Sequence, residues 1–164
     1  MNVRSDKWIH RYIEMAKMIS SWSKDTSTKV GCVIVDPKGS PVSWGYNGNA
    51  MGVEDTFERL ERPVKYHYVA HAEKNAMDLC RSSLENCIMY ITHAPCSSCA
   101  ISIIQSGIKH VIIDGNNGFT GPNSYLHTND KWKEAVSHSL IMFHEAGVSY
   151  TEYRKERHQG EHNE

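Results

Sequence analysis

An α/β fold is predicted, with a five-stranded mixed sheet between helical layers. Three observations predict it. Short branched apolar runs alternate with stretches of helical periodicity in the order α-β-β-α-β-α-β-α-β. The first two strands are separated only by the turn "PKGS", which makes them a hairpin, whereas the later strands are each reached through a helix, which favours parallel neighbours. With 164 residues, 40% of them apolar, the chain suits one domain with its own core.

The first helix runs from Asp6 to about Ser23, capped by Ser5 or Asp6. Trp8, Tyr12, Met15, Ile19 and Trp22 recur at spacings of four and three, widened by Ile9, Ile13 and Ala16, and this stripe is expected to face the core. "VGCVIVD" (30–36) and "PVSWGYN" (41–47) form the hairpin. Residues 48–70 lose periodicity, and a loop of that length inside a compact domain is functional or disordered. "HAEKNAMDLC" (71–80) is a helix with Ala72, Ala76, Met77 and Cys80 inward; "CIMYIT" (87–92) is a strand; "CAISIIQSG" (99–107) is a helix closed by Gly107. "KHVIID" (109–114), a last long helix around Trp132–Phe143 ended by Gly147, and "VSYTEY" (148–153) complete a largely parallel sheet covered on both faces. The domain spans 1–153; residues 154–164 form a polar tail expected to be disordered.

Composition narrows the function. Eighteen Lys and Arg against nineteen Asp and Glu give a net charge of −1, which argues against a protein that grips nucleic acid. Five sparse cysteines are no disulfide framework and fit a reducing compartment. The polar start carries no signal peptide and no run is long enough to span a bilayer, so a soluble cytoplasmic protein is expected.

The chemistry lies in "HAE" (71–73) and "APCSSCA" (94–100). Cys96 and Cys99 fit a thiol redox pair, core packing or metal ligation. Metal ligation explains more, because His71 also stands at a predicted helix start. Helix N-termini favour thiolate over thiol. Two such starts on neighbouring strands would gather one imidazole and two thiolates around a zinc ion, leaving a fourth position open, the layout of a catalytic site. Glu73, two residues beyond His71, would face the open position as a proton shuttle rather than act as a ligand. The combination His-x-Glu with Pro-Cys-x-x-Cys is the signature of zinc nucleobase deaminases.

Five stretches extend the likeness: "SKDTSTKVGCVIVD" (23–36), "GYNG" (45–48), "VAHAEKNAM" (69–77), "MYITHAPCSSCA" (89–100) and "IIQSGIKHVI" (103–112). Together they resemble the cytidine deaminase superfamily and, within it, the deoxycytidylate deaminases. The resemblance implies the cytidine-deaminase-like three-layer fold and hydrolysis of dCMP to dUMP and ammonia by a zinc-activated water, with Glu73 moving the protons. It implies that the Ala72 N–H holds the base carbonyl, the Ala94 carbonyl accepts from the exocyclic amine, and Asn47 contacts the deoxyribose. Lys24 and Ser27 are its candidates for the phosphate. It further implies a homo-oligomer, a hexamer in the family, activated by dCTP and inhibited by dTTP with Mg2+, for which Arg4, Lys7 and Trp8 are candidates if "GYNG" packs against the helix start. The chain departs from the family after Asp114, where Phe119 and Tyr125 are the nearest aromatics, and at His93 and Ala94. These departures leave the base open between cytosine and a 5-substituted cytosine. The rivals are deaminases of another cytosine nucleotide or nucleoside, an RNA adenosine deaminase, and a non-catalytic nucleotide-binding module. His67 is expected to be exposed rather than a second metal ligand.

Overall fold

In the computed structural model, residues 5–116 and 130–155 are described. Five strands form the main sheet: β1 (Gly31–Val35), β2 (Pro41–Tyr46), β5 (Ile88–Ile91), β6 (His110–Asp114) and β7 (Ser149–Tyr153), in the spatial order β2-β1-β5-β6-β7. A second pair, β3 (Gly48–Asn49) and β4 (Val69–Ala70), lies apart from it. The helices are α1 (Asp6–Ser20), α2 (Phe57–Leu60), α3 (Lys65–Tyr68), α4 (Ala72–Leu79), α5 (Ser97–Gln105) and α6 (Asp130–Glu145). Gly107 and Gly147, both at positive φ, follow α5 and α6 as expected.

The expected "largely parallel" sheet is corrected to an even mixture. β5, β6 and β7 are parallel, but β1 is antiparallel to both β2 and β5. The reason is topological. The crossover through α4 joins two strands of the same direction, β2 and β5, and the hairpin leaves β1 between them.

Alternation along the strands divides the core between two faces. Cys32, Ile34, Met89, Ile91, Val111 and Ile113 pack with Ala72, Ala76, Ala100, Ile103, Val136 and Phe143 of α4, α5 and α6. Val33, Val35, Ile88, Tyr90 and Ile112 pack with Ile9, Tyr12, Ile13, Ala16 and Ile19 of α1. Two glycines permit close packing of the hairpin. A Cβ on Gly31 would collide with the Ala16 carbonyl of α1, and one on Gly45 would come within 2.5 Å of the Ala72 carbonyl and the Ala76 amide of α4.

Several local expectations change. α1 stops at Ser20, not Ser23, where the Ser20 and Ser21 hydroxyls donate to the carbonyls of Lys17 and Met18. Ser5 stands at its N-cap, but its side chain makes no capping bond. Trp8 and Trp22 are exposed, because the buried stripe is centred on Ile9, Tyr12, Ile13, Ala16 and Ile19 and leaves them at its margin. Cys80 is half-buried at the end of α4 and not in the core.

The aperiodic stretch 48–70 is an ordered excursion. Its ends are paired by β3 and β4, and Thr56 caps α2 by accepting from the Arg59 amide. Three side-chain links fasten it to the segment after α1: Lys24–Asp55 at 2.6 Å, Thr26–Glu61 at 2.9 Å and Lys65–Asp25 at 2.9 Å. Residues 156–164 of the expected tail lie outside the described residues.

Candidate metal centre and active site

His71 is the N-cap residue of α4 and Cys96 the N-cap residue of α5, with Cys99 in the first turn of α5. The two helices lie on the same face of the sheet, so their N-termini converge. His71 Nδ1 is 3.5 Å from Cys96 Sγ and 3.3 Å from Cys99 Sγ, and the three ligand atoms all lie within 4.8 Å of one another. A tetrahedral zinc with bonds of about 2.0–2.3 Å separates its ligand atoms by about 3.5–3.8 Å, so the cluster fits the ion with small adjustments. Its chemistry fits as well. The Cys99 thiol, His71 and Ser98 all stabilise a thiolate at Cys96 and hold it down to about 3, against the opposing effect of burial. The bond from His71 to Cys96 raises the imidazole to about 9, and Cys99, sharing a proton with Cys96 beside Glu73, is pushed up. One imidazole with two sulfurs is a donor set for zinc.

Glu73, in the first turn of α4, is 4% exposed and hydrogen-bonds to Cys99. Burial pushes its carboxyl up to about 7, against the pull of His71. Ala72 and Ala94 are buried on either side, at the start of α4 and just before Pro95. His93 is buried, and burial lowers it to about 4, with Asp114 opposing.

Asn47 is buried and organises the segment that precedes β1. Its Oδ1 accepts from the Val30 amide at 2.7 Å, its Nδ2 donates to the Thr28 carbonyl at 2.8 Å, and its own carbonyl accepts from Ser23 Oγ. Its side-chain amide has one further donor and one further acceptor position beyond these bonds. Ser27 Oγ donates to Asp25 and accepts from Lys65. Lys24 is exposed and ion-paired to Asp55 at 2.6 Å.

Of the three regulatory candidates, Lys7 and Trp8 are described. Arg4 lies outside the described residues, as do Phe119 and Tyr125. Lys7 and Trp8 sit at the start of α1, where the Arg11 guanidinium lies 4.7 Å from the Trp8 ring centroid. "GYNG" meets the other end of the helix, through the Trp22–Tyr46 ring contact and the Ser23–Asn47 bond. The fifteen residues of α1 span about 22 Å, so the condition set on the trio is not met within one chain. His67 is exposed, and among the described residues it joins no metal-ligating cluster.

Two ion pairs escape sequence reasoning. Lys65 and Asp25 are both buried although forty residues apart. Burial disfavours the Asp25 carboxylate, but the Thr28 amide, the Lys65 ammonium and the Ser27 amide and hydroxyl outweigh it and hold Asp25 down to about 2. Lys17 of α1 reaches the buried Asp114 at the end of β6, at 3.2 Å. Asp25 and Ser27 gave a weak signal as polar residues in a short turn, whereas Lys65, inside an aperiodic stretch, gave none.

A helix-start cluster of an exposed His and two buried Cys, with an adjacent buried Glu, on a mixed sheet between α1 and α4–α6, defines a zinc-binding deaminase. Residues 6–114 match the family described as the cytidine and deoxycytidylate deaminase zinc-binding region, and the chain belongs to that family. It is 40% identical over 145 residues to an uncharacterized deaminase from the luxG 3′ region of Aliivibrio fischeri, covering 88% of this chain and 92% of that protein. It is 32% identical over 154 residues to human deoxycytidylate deaminase, covering 90% and 80%. Among solved structures, the dCMP deaminase of cyanophage S-TIM5 in complex with dCMP and dUMP shares the fold, with a TM-score of 0.70 at 22% identity, over 92% of this chain and all of that one. The protein is therefore an enzyme. No helix among the described residues is long and apolar enough to cross a membrane.

Proposed function

We propose that the enzyme hydrolyses dCMP to dUMP and ammonia at the His71–Cys96–Cys99 centre. The observation that carries this reading is Glu73: a buried carboxyl touching Cys99, pushed up to about 7 by burial, beside three side chains whose ligand atoms lie within 4.8 Å of one another. His71, Cys96 and Cys99 would hold the zinc. When bound, zinc supplies Lewis-acid activation of water at neutral pH. Glu73 would take one proton from the water and give it to the ring nitrogen, then take the second from the new C4 hydroxyl and give it to the departing amine, and a bound cation would offset part of the rise that burial gives the carboxyl. The Ala72 N–H holds the base carbonyl, the Ala94 carbonyl accepts from the amine, Asn47 meets the deoxyribose and Ser27 lies toward the phosphate. Lys24 would have to leave Asp55 to join Ser27.

The named activity of the human relative and the nucleotides bound to the phage enzyme support dCMP as the substrate. Ammonia release from dCMP, a 5-substituted dCMP, deoxycytidine, dCTP and an RNA hairpin tests it. dCMP is expected to be turned over best; equal rates on dCMP and deoxycytidine would remove the monophosphate assignment.

The same reading includes a cytoplasmic homo-oligomer, a hexamer by family resemblance, with dCTP raising and dTTP lowering activity at low dCMP. Titrating both effectors at sub-saturating dCMP decides this, and a hyperbolic curve moved by neither would exclude it. The Mg2+ expected to accompany a nucleoside triphosphate effector has no support among the described residues.

A further inference from the structure

The two sulfurs of the metal centre have different neighbours. Cys99 Sγ lies 3.3 Å from His71 Nδ1 and hydrogen-bonds to Glu73. Cys96 Sγ lies 3.5 Å from His71 Nδ1 and 3.1 Å from the hydroxyl of Ser98. Both cysteines are buried, whereas Ser98 is exposed, so its hydroxyl meets a buried sulfur from the rim of the site. Two serines separate the cysteines, and they are not equivalent. Ser97 makes no side-chain hydrogen bond among the described residues, so the contact belongs to Ser98. The helix fixes it. Cys96 is the N-cap residue of α5 and Ser98 the second residue of its first turn, which holds hydroxyl and sulfur side by side.

Either atom of this pair could carry the shared proton while Cys96 is a thiol. A coordinated thiol is deprotonated outright, which leaves one direction: the Ser98 hydroxyl donates and Cys96 Sγ accepts. Such a bond has two effects. It orients the sulfur before the ion arrives, and it draws off part of the charge that the sulfur would give to the ion. The second effect follows from the charges. Two thiolates already cancel the charge of a divalent ion, and further donation weakens its Lewis acidity. Among the described residues no hydroxyl bonds to Cys99; its neighbours are His71 and the Glu73 carboxyl, which proton transfer requires. Cys96 is therefore the sulfur whose donation the chain can temper without engaging the proton shuttle.

From this contact we propose that Ser98 is a positioning residue for the metal: its hydroxyl holds the Cys96 thiolate by a hydrogen bond and sets both how firmly the ion is retained and how electron-poor it stays. The inference rests on the zinc reading above and adds a residue at a position that the Cys-x-x-Cys pattern leaves unspecified. Because Ser98 is exposed, water replaces part of a lost hydroxyl. The effect therefore belongs at the lower end of the range of about 10–100-fold that partners of metal ligands contribute.

The test compares Ser98→Ala and Ser98→Thr with the wild type, each as the full chain loaded with zinc and, separately, with Co2+. The near-ultraviolet sulfur-to-cobalt charge-transfer band reports donation by the thiolates. Ser98→Ala is expected to lose zinc to a competing chelator about ten-fold more readily and to move the cobalt band to lower energy. Ser98→Thr keeps the hydroxyl and is expected to stay with the wild type in both. With zinc in excess, kcat on dCMP is expected to fall in Ser98→Ala with KM unchanged, the pattern of an effect on the chemical step. If Ser98→Ala matches the wild type in zinc retention and cobalt band, the hydroxyl does not act on the metal, and the inference is overturned while the dCMP reading stands. Zinc loss with the cobalt band in place would show a merely structural role, which also overturns it. So would a Ser98→Thr variant that shifts as far as Ser98→Ala, because the hydroxyl would then not be the cause. If the wild type binds neither metal, the zinc reading falls and the inference with it.

Discussion

Two clusters of charged and titratable groups differ in how they are built, and they follow opposite principles. Asp25, Ser27 and Lys65 satisfy one another: carboxylate, hydroxyl, ammonium and two backbone amides close a network in which each charge has its partner. His71, Glu73, Cys96 and Cys99 do not. Their donors crowd around one point, share protons and push one another's ionisation in opposite directions, because they are arranged for a cation from outside the chain. The contrast teaches that burial of charge alone does not mark a functional site. A self-neutralising cluster holds a fold together, whereas one whose ligands neutralise each other poorly is waiting for a substrate or a metal.

The sharpest break should come at the metal. Cys96→Ser is expected to abolish zinc retention and activity together and to lower stability, which metal analysis and thermal unfolding of the purified variant would register. Glu73→Gln should separate what Cys96→Ser joins. It is expected to keep zinc and bind nucleotide while losing turnover by about 10²-fold or more, and a variant with full turnover would remove Glu73 from the chemistry.

The second cluster should answer in stability and not in chemistry. Lys65→Met is expected to cost about 2–3 kcal/mol, less than the full penalty for splitting a deeply buried pair because the turn beside it is exposed, with zinc content unchanged. Its pH dependence has a defined sign. The folded-state pKa of Asp25 lies below the ordinary value of 3.8, so its contribution is complete above about pH 4 and is lost as pH falls toward 2. Denaturant melts of wild type and Asp25→Asn should differ at neutral pH and converge in that range. Smallest of all, Lys24→Ala removes only an exposed link to Asp55 and should leave the melting temperature within measurement error.

The same contrast explains what the sequence made legible. His71, Glu73, Cys96 and Cys99 are spaced by the geometry of two helix starts, so their pattern survives in one dimension. Lys65 and Asp25 meet only because residues 48–70 fold back on residues 24–27, and no local period records that return. Strand direction at β1 was hidden for a related reason: a hairpin followed by a crossover fixes the direction of β5 relative to β2, but not that β1 lies between them. Trp8 and Trp22 were misplaced because aromatic spacing alone resembles a buried stripe, while the denser Ile and Ala positions decide which face turns inward.

Gly31 and Gly45 occupy adjacent rungs of the hairpin ladder, opposite Tyr46 and Cys32, and each admits the backbone of a different helix. The hairpin thus acts as a thickness gauge between α1 and α4. A saturation library should tolerate few substitutions at either position, and for unequal reasons. At Gly31 an added methyl pushes against α1 and registers as lost stability. At Gly45 it pushes α4 outward at Ala72, next to both His71 and Glu73, so Gly45→Ala would shift the metal's imidazole ligand and the proton shuttle as one rigid unit without altering either side chain.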